Sequence, residues 1–486
     1  MVQQGLERIG IDRDGLRRIN WNRWILPIVV IVIAAAIGMT GVRPILRGRT
    51  GLELGLIGIL LAVVTLLVMY RLEWGLMAIV FTSFFVRFTI PTGTATNIPA
   101  SLVVSFFAVM IWIFSMLLKR QIKLAPGHYV KPTLLFFLIA ILSVPYSWLI
   151  LRPDLFGQGG SGKSGLGFTF VQVGAVTLMV LLPAVMLMAA NVLRDAKWFK
   201  ILFAIMLIVA IPELLQRLTN TRIGLADFKL NTGASYSLWV VALSVGQAFF
   251  NPTLKRWQRA FLFGIAGCWL FFGAEVGATW FSGWMPAFVA LLFLGFLYSR
   301  KLFFGLVLGA LAIIVIRPDY ITHIWSDAVN LDSNRFEIWQ VIIFDLTLTK
   351  TNIFFGAGPA GYLPFYEAYY PGNAWVSHNN YVDIFAELGI VGFTIFLWML
   401  FSIFRTGWEH RHQMPSGFLR GFNYGVLAGF VGTLFAMGLG DWHIPFVYNI
   451  GIPGFDFAVY GWLLSGAMLA LSEMKTSPAV PSHASQ

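Results

Sequence analysis

His378, Asn379 and Asn380 stand immediately before an apolar run that carries Tyr381, Asp383 and Glu387. Either asparagine can cap the first turn of a helix by accepting hydrogen bonds from backbone N–H groups. Asn379, Asp383 and Glu387 recur every four residues, so a helix starting here carries them on one face. A polar stripe on a membrane-spanning helix must face protein or water, because charge in hydrocarbon is expensive. The stripe therefore marks either a functional site or a structural pair with a buried arginine. For His378 two readings stand side by side: a proton-transfer group working near neutral pH, or an ordinary surface-loop histidine.

The elements that must hold these residues are membrane spans. Of 486 residues 58% are hydrophobic and 12% charged, against roughly 25% charged in soluble domains. The apolar residues come in blocks close to the length that crosses a bilayer, separated by short segments holding nearly all the Lys and Arg. The blocks fall at 24–41, 52–70, 75–90, 100–118, 132–151, 169–190, 198–215, 234–250, 260–277, 284–299, 302–316, 381–404, 421–440 and 455–471. The expected fold is all-α: a polytopic integral membrane protein of about fourteen transmembrane helices with one long outer loop. Its parts are a basic cytoplasmic segment 1–23, helices across 24–316, the outer loop 317–380, further helices across 381–471 and a cytoplasmic tail 472–486.

The net charge of +12 is a topology signal. With the amino terminus in the cytoplasm, roughly two-thirds of the 34 Lys and Arg fall on the inner side, as the positive-inside bias requires. No basic run interleaves with aromatics on an extended soluble domain, which argues against nucleic-acid binding. The run from Trp24 to Met39 is long and its small residues make no convincing cleavage site, so it reads as a retained first span. Cys268 is the one cysteine and lies in an apolar block, so no internal disulfide and no Cys/His zinc spacing is expected.

Two outer segments are long. Residues 152–168 are rich in Gly and Ser and contain Gly157, Gly162, Lys163 and Ser164 in the literal spacing of a phosphate loop. That mechanism needs a preceding strand and a following helix, whereas these flanks are apolar spans, so the segment reads as a linker. In the loop 317–380, SNRFEIWQVIIFDLTLTK predicts an amphipathic helix with Phe336, Trp339, Ile343 and Leu346 on one face, lying against the membrane surface. GAGPAGYLPFYEAYYPGNAW then breaks the periodicity with Gly and Pro.

The order Arg335-x-x-x-Trp339, the GAGPAGY turn and SHNNYVDIFAELGIVGF resembles the O-antigen ligase and polymerase superfamily. The resemblance implies a metal-independent glycosyltransferase without a cofactor, in the bacterial inner membrane with its active site on the outer face. It moves a glycan from an undecaprenyl pyrophosphate carrier to a saccharide or lipid A core acceptor. Asn379 and Asn380, beside His378, are candidate substrate-binding residues. The resemblance also implies a catalytic role for His378 and diphosphate contacts from outer arginines. Arg222, followed by Asn231, occupies one such position. Where many members have Ser-Arg-Gly, this chain has Ser282, Gly283 and Trp284. Arg335, Arg217 and Arg87 are the candidates to supply the missing guanidinium, whose fork suits a diphosphate. Ion pairing with Glu213, Glu275 or Asp441 is the competing role for these arginines.

In such a reaction, guanidinium groups stabilise the departing diphosphate, and a neutral imidazole near the acceptor hydroxyl can take its proton as the new bond forms. The competing class is a polysaccharide or lipid flippase or other transporter, which would place charges in corresponding positions of two internal repeats. No such repeat is found. Ligation, polymerisation and transfer to protein share the donor and are not separated by the sequence.

Overall fold

The computed structural model describes residues 71–86, 89–91, 96–150, 165–219, 235–275, 281–319, 322, 335–372 and 374–474. The blocks 24–41 and 52–70, the segment 1–23 and the tail beyond Met474 lie outside the described residues, as do Arg87, Gly157 to Ser164, Arg222 and Asn231. Among the described residues the architecture is all-α apart from one short antiparallel ribbon. Helices are α1 (Leu72–Phe85), α2 (Ala100–Leu118), α3 (Val130–Ile150), α4 (Gly165–Val192), α5 (Ala196–Thr219), α6 (Ser235–Phe250) and α7 (Arg256–Glu275). They continue with α8 (Phe281–Tyr298), α9 (Arg300–Ile316), α10 (Arg335–Gln340), a π-helix (Val341–Lys350), α11 (Tyr362–Tyr369), α12 (Asn380–His410), α13 (Phe418–Ala436) and α14 (Phe455–Glu473). Among the described residues, seven helices are long and apolar enough to cross a membrane, which makes this an all-α membrane protein.

Burial separates the bundle's centre from its rim. The apolar windows of α14 and α4 are 94% and 78% buried, against 28% for α3 and 33% for α2. Exposed Phe107, Phe114, Leu138, Leu142, Phe304 and Leu308 stud the rim helices, the pattern of surfaces solvated by lipid. At the centre, α6 and α13 touch backbone to backbone. A Cβ on Gly246 would lie 2.5 Å from the Cα of Gly425 and 2.8 Å from the carbonyl of Gly421. The Gly421-x-x-x-Gly425 spacing thus makes the close approach that favours helix association in lipid.

Two expectations need correction. The block 75–90 ends as a helix at Phe85, and Thr89–Pro91 instead pairs antiparallel with Asn97–Pro99. Proline cannot continue a helix ladder, and an edge ribbon accommodates it. The segment from Arg335 is helical, and of the expected face Leu346 is buried and Trp339 and Ile343 pack against the same core, but Phe336 is 51% exposed and the fully buried row is Ile338, Ile342 and Leu346. Spacings of three and four presume an α-helix. From Val341 the chain makes i→i+5 bonds, and the wider turn aligns residues four and five apart.

That row belongs to a second, smaller core. Ile338, Ile342 and Leu346 pack with Ala357, Tyr362, Phe365, Val382, Ala386 and Phe446. Fully burying a side chain the size of Ile, Leu, Val or Phe stabilises by about 2 kcal/mol, so this core joins α10, the π-helix, α11 and the first turns of α12 into one unit at one end of the bundle.

Candidate functional site

The site is built around the start of α12. Asn379 is extended, at φ −154° and ψ 110°, and its Oδ1 accepts from the N–H groups of Tyr381 at 2.9 Å and Val382 at 3.3 Å. This satisfies two of the donors a helix start leaves open and contributes about 1 kcal/mol. Asn379 Nδ2 donates to the carbonyl of Gly438 at 3.3 Å. Asn380 Oδ1 accepts from the N–H groups of His443 at 3.0 Å and Ile444 at 3.3 Å, and its Nδ2 donates to the carbonyl of Ile444 at 2.6 Å. Both amides, expected beside the substrate, are engaged in strapping the segment 437–451 onto α12. Asn380 is completely buried.

The four-residue spacing of Arg335 and Trp339 has a direct structural use. One turn apart, they share a face of α10. Trp339 Nε1 donates to the carbonyl of Ser377 at 2.7 Å, and Arg335 Nη1 donates to the carbonyl of Leu439 at 3.1 Å. The short helix thereby grips the residue preceding His378 on one side and the 437–451 segment on the other.

The Gly-rich turn meets α12 where that helix breaks. Gly389 has φ +63°, and the helix kinks there. The chain from Asn352 crosses this kink: Ala357 and Gly358 donate to the carbonyls of Ala386 and Glu387, and Ile390 and Val391 donate to those of Ile353 and Phe354. A Cβ on Gly389 would lie 2.4 Å from the backbone of Phe354, and one on Gly356 would lie 2.5 Å from the backbone of Glu387. Glycine on both sides of the crossing is therefore a steric requirement.

This crossing also settles the carboxylate stripe. Glu387 Oε1 accepts from the N–H of Ala360 at 2.5 Å. Asp383 Oδ1 accepts from the hydroxyls of Tyr362 at 2.8 Å and Ser377 at 2.5 Å. The buried-arginine partner considered from sequence is replaced by hydroxyls and a backbone N–H. Tyr362 also stacks on Phe446 with ring centroids 4.9 Å apart, and burial holds its hydroxyl well above the usual phenol range. The stripe is scaffolding that orders 356–362 against 377–387.

His378 sits in the middle of these ties, at φ +50°. That backbone is unfavourable for a non-glycine residue and persists only where surroundings impose it, as at functional sites. Its ring is half-buried, and Nδ1 lies 3.0 Å from Asn449 Nδ2. Burial lowers the imidazole's affinity for a proton, and the nearby charge of Arg335 lowers it further. Asn449 Nδ2 also donates to Asp441 Oδ1 at 2.7 Å, while Asp441 Oδ2 accepts from the N–H of Phe446 at 2.7 Å. Asp441 is buried, and burial pushes its carboxyl up to about 6. His443 is different: stacked on Trp462 at 4.0 Å and buried, it is pushed down to about 3 and acts as a core aromatic.

The other candidates are distributed as follows. Arg217 lies in the last turn of α5, with its side chain outside the described residues. Gly283 lies in the first turn of α8, its carbonyl accepting from Ser237 Oγ at 2.7 Å. Glu275 pairs with Arg317 at 3.7 Å. No group of three or more His, Cys, Asp or Glu among the described residues could hold a metal ion. Asn449 was not singled out from sequence; its position seventy-one residues beyond His378 leaves no local spacing to read. In comparisons with known proteins, no family model matches the chain and no curated protein matches it significantly.

Proposed function

We propose that this chain is a membrane glycosyltransferase of the O-antigen ligase and polymerase type. It transfers a glycan from an undecaprenyl pyrophosphate carrier to a saccharide or lipid A core acceptor. On this reading it crosses the bacterial inner membrane about fourteen times, with its amino terminus in the cytoplasm and the 317–380 loop on the outer face. The observation that carries the reading is convergence: the Arg335–Trp339 helix, the Gly356–Gly361 turn and His378 to Gly389 are separate in sequence and interlock at one end of the bundle.

In this reaction the acceptor oxygen bonds to the anomeric carbon as the bond from that carbon to the diphosphate oxygen breaks, and the acceptor's proton leaves. Negative charge grows on the diphosphate. Arg335, with Arg222 and Arg217 as further contacts, offsets that charge with forked N–H donors. His378, kept neutral by burial and by Arg335, is the imidazole at the reacting centre. The test is the purified chain in lipid nanodiscs with an undecaprenyl pyrophosphate-linked glycan and either a saccharide or a lipid A core acceptor. Glycosylated acceptor, identified by mass, is the expected result. An inert chain with every donor and acceptor pair, or a reporter fused at Gly372 that reads as cytoplasmic, would sink the proposal.

A further inference from the structure

The hydrogen bonds around His378 determine where its ring carries the proton. Asn449 Nδ2 lies 2.7 Å from Asp441 Oδ1 and 3.0 Å from His378 Nδ1. An ionised carboxylate only accepts, so it fixes which end of the amide faces it: the nitrogen, which carries two hydrogens. Asp441 is held in turn by the Phe446 N–H on its other oxygen. One Nδ2 hydrogen serves Asp441, and the second points at the imidazole. His378 Nδ1 must therefore present its lone pair. A neutral imidazole that accepts at Nδ1 has its hydrogen on Nε2.

Resting on the transferase reading above, we propose that Asp441 and Asn449 are positioning residues that lock His378 in the Nε2–H tautomer. The ring then meets the donor lipid as a hydrogen-bond donor to a diphosphate oxygen, and it is not the base for the acceptor hydroxyl. The alternative tautomer sets Nδ1–H against Nδ2–H at 3.0 Å. It is relieved only by turning the amide over and breaking its bond to a buried carboxylate, a bias of roughly tenfold to a hundredfold. No described residue bonds to His378 Nε2, which leaves it for a ligand. Arg335 lies near enough to disfavour a second proton on the ring, and on this reading the diphosphate that meets Nε2–H is the one whose charge its guanidinium offsets. As the glycosidic bond forms and the carbon to diphosphate bond breaks, the acceptor's proton ends on the released diphosphate.

The tautomer can be read without any substrate, by nuclear magnetic resonance of isotope-labelled histidine nitrogens in nanodiscs at neutral pH. The signal of His378 is assigned by its loss in His378→Gln. The proposal predicts one tautomer, protonated at Nε2, in the parent. Asn449→Leu and Asp441→Asn should each give a tautomer mixture and lower kcat for transfer about tenfold with little change in KM. A parent ring protonated at Nδ1, or exchanging between both forms, overturns the lock. So does an Asn449→Leu variant that keeps the pure Nε2–H form. A pure Nε2–H ring in a chain that transfers no glycan sinks the transferase reading alone.

Discussion

Replacing Asn380 by alanine separates a structural role from a substrate-contacting one. The amide makes three buried hydrogen bonds, at 2.6, 3.0 and 3.3 Å, to Ile444 and His443. Asn380→Ala strands those backbone groups, and at about 1 kcal/mol for each lost bond the 437–451 segment loses roughly 3 kcal/mol. With 1.36 kcal/mol per decade, opening becomes roughly a hundredfold more frequent. Hydrogen exchange read by mass spectrometry on peptides covering 441–449 measures this directly. The expected result is loss of protection there, with the α6 and α13 helices unchanged. Asn449 and Asp441 ride on this segment, so transfer should fall in kcat. Unchanged exchange at 441–449 together with weakened donor binding would rule out the strap and return Asn380 to the ligand.

Gly389→Ala combines a φ of +63° with a Cβ 2.4 Å from the Phe354 backbone, so it should destabilise by about 2 to 4 kcal/mol; an unchanged denaturation midpoint contradicts the crossing. Trp339→Phe keeps an aromatic side chain but removes the bond to Ser377 and part of the ring's bulk, and should lower stability by at least about 1 kcal/mol while transfer drops, with wild-type transfer arguing against a positioning role. His378 is held below its ordinary value of 6.5 by burial and then by Arg335; below that lowered value Nδ1 carries a proton too and sets it against the Asn449 Nδ2–H, so the ring loses the bond that positions it and transfer falls as pH drops. The unfolded chain takes up this proton first, so the group's contribution to stability also falls as pH drops through the same window. Arg335→Gln removes one cause and moves the acid limb toward 6.5; because Asp441 titrates at about 6 nearby, the test is the difference between variant and parent, and no difference refutes the coupling.

Membrane-embedded helices were legible because hydrocarbon forces apolar residues into long blocks, and α2 spans Ala100–Leu118 as the block 100–118 suggested. Periodicity failed where the geometry departs from an α-helix, as in the π-helix after Gln340. The helix cap at Asn379 was also legible, since its chemistry is local. The rest of the site was not. The bond from Asn449 to His378, the strap from Asn380 to Ile444 and the grip of Arg335 on Leu439 all join distant segments. No spacing rule reaches across such loops. The Asp383 and Glu387 stripe was legible as a buried face, but its partners, Tyr362, Ser377 and the Ala360 N–H, depend on a turn whose path only the fold defines.

Whether His378 and Arg335 act on one lipid diphosphate is decided by measuring donor binding and glycan transfer separately for His378→Ala and Arg335→Ala at equal expression in nanodiscs. His378→Ala should bind the undecaprenyl pyrophosphate-linked donor within several-fold of the parent and lose transfer, because the histidine's bond strengthens as charge develops on the diphosphate. Arg335→Ala should lose binding and transfer together, since the guanidinium contacts a charge present before and during the reaction. Glycan transfer by His378→Ala at the parent rate would remove His378 from the reaction.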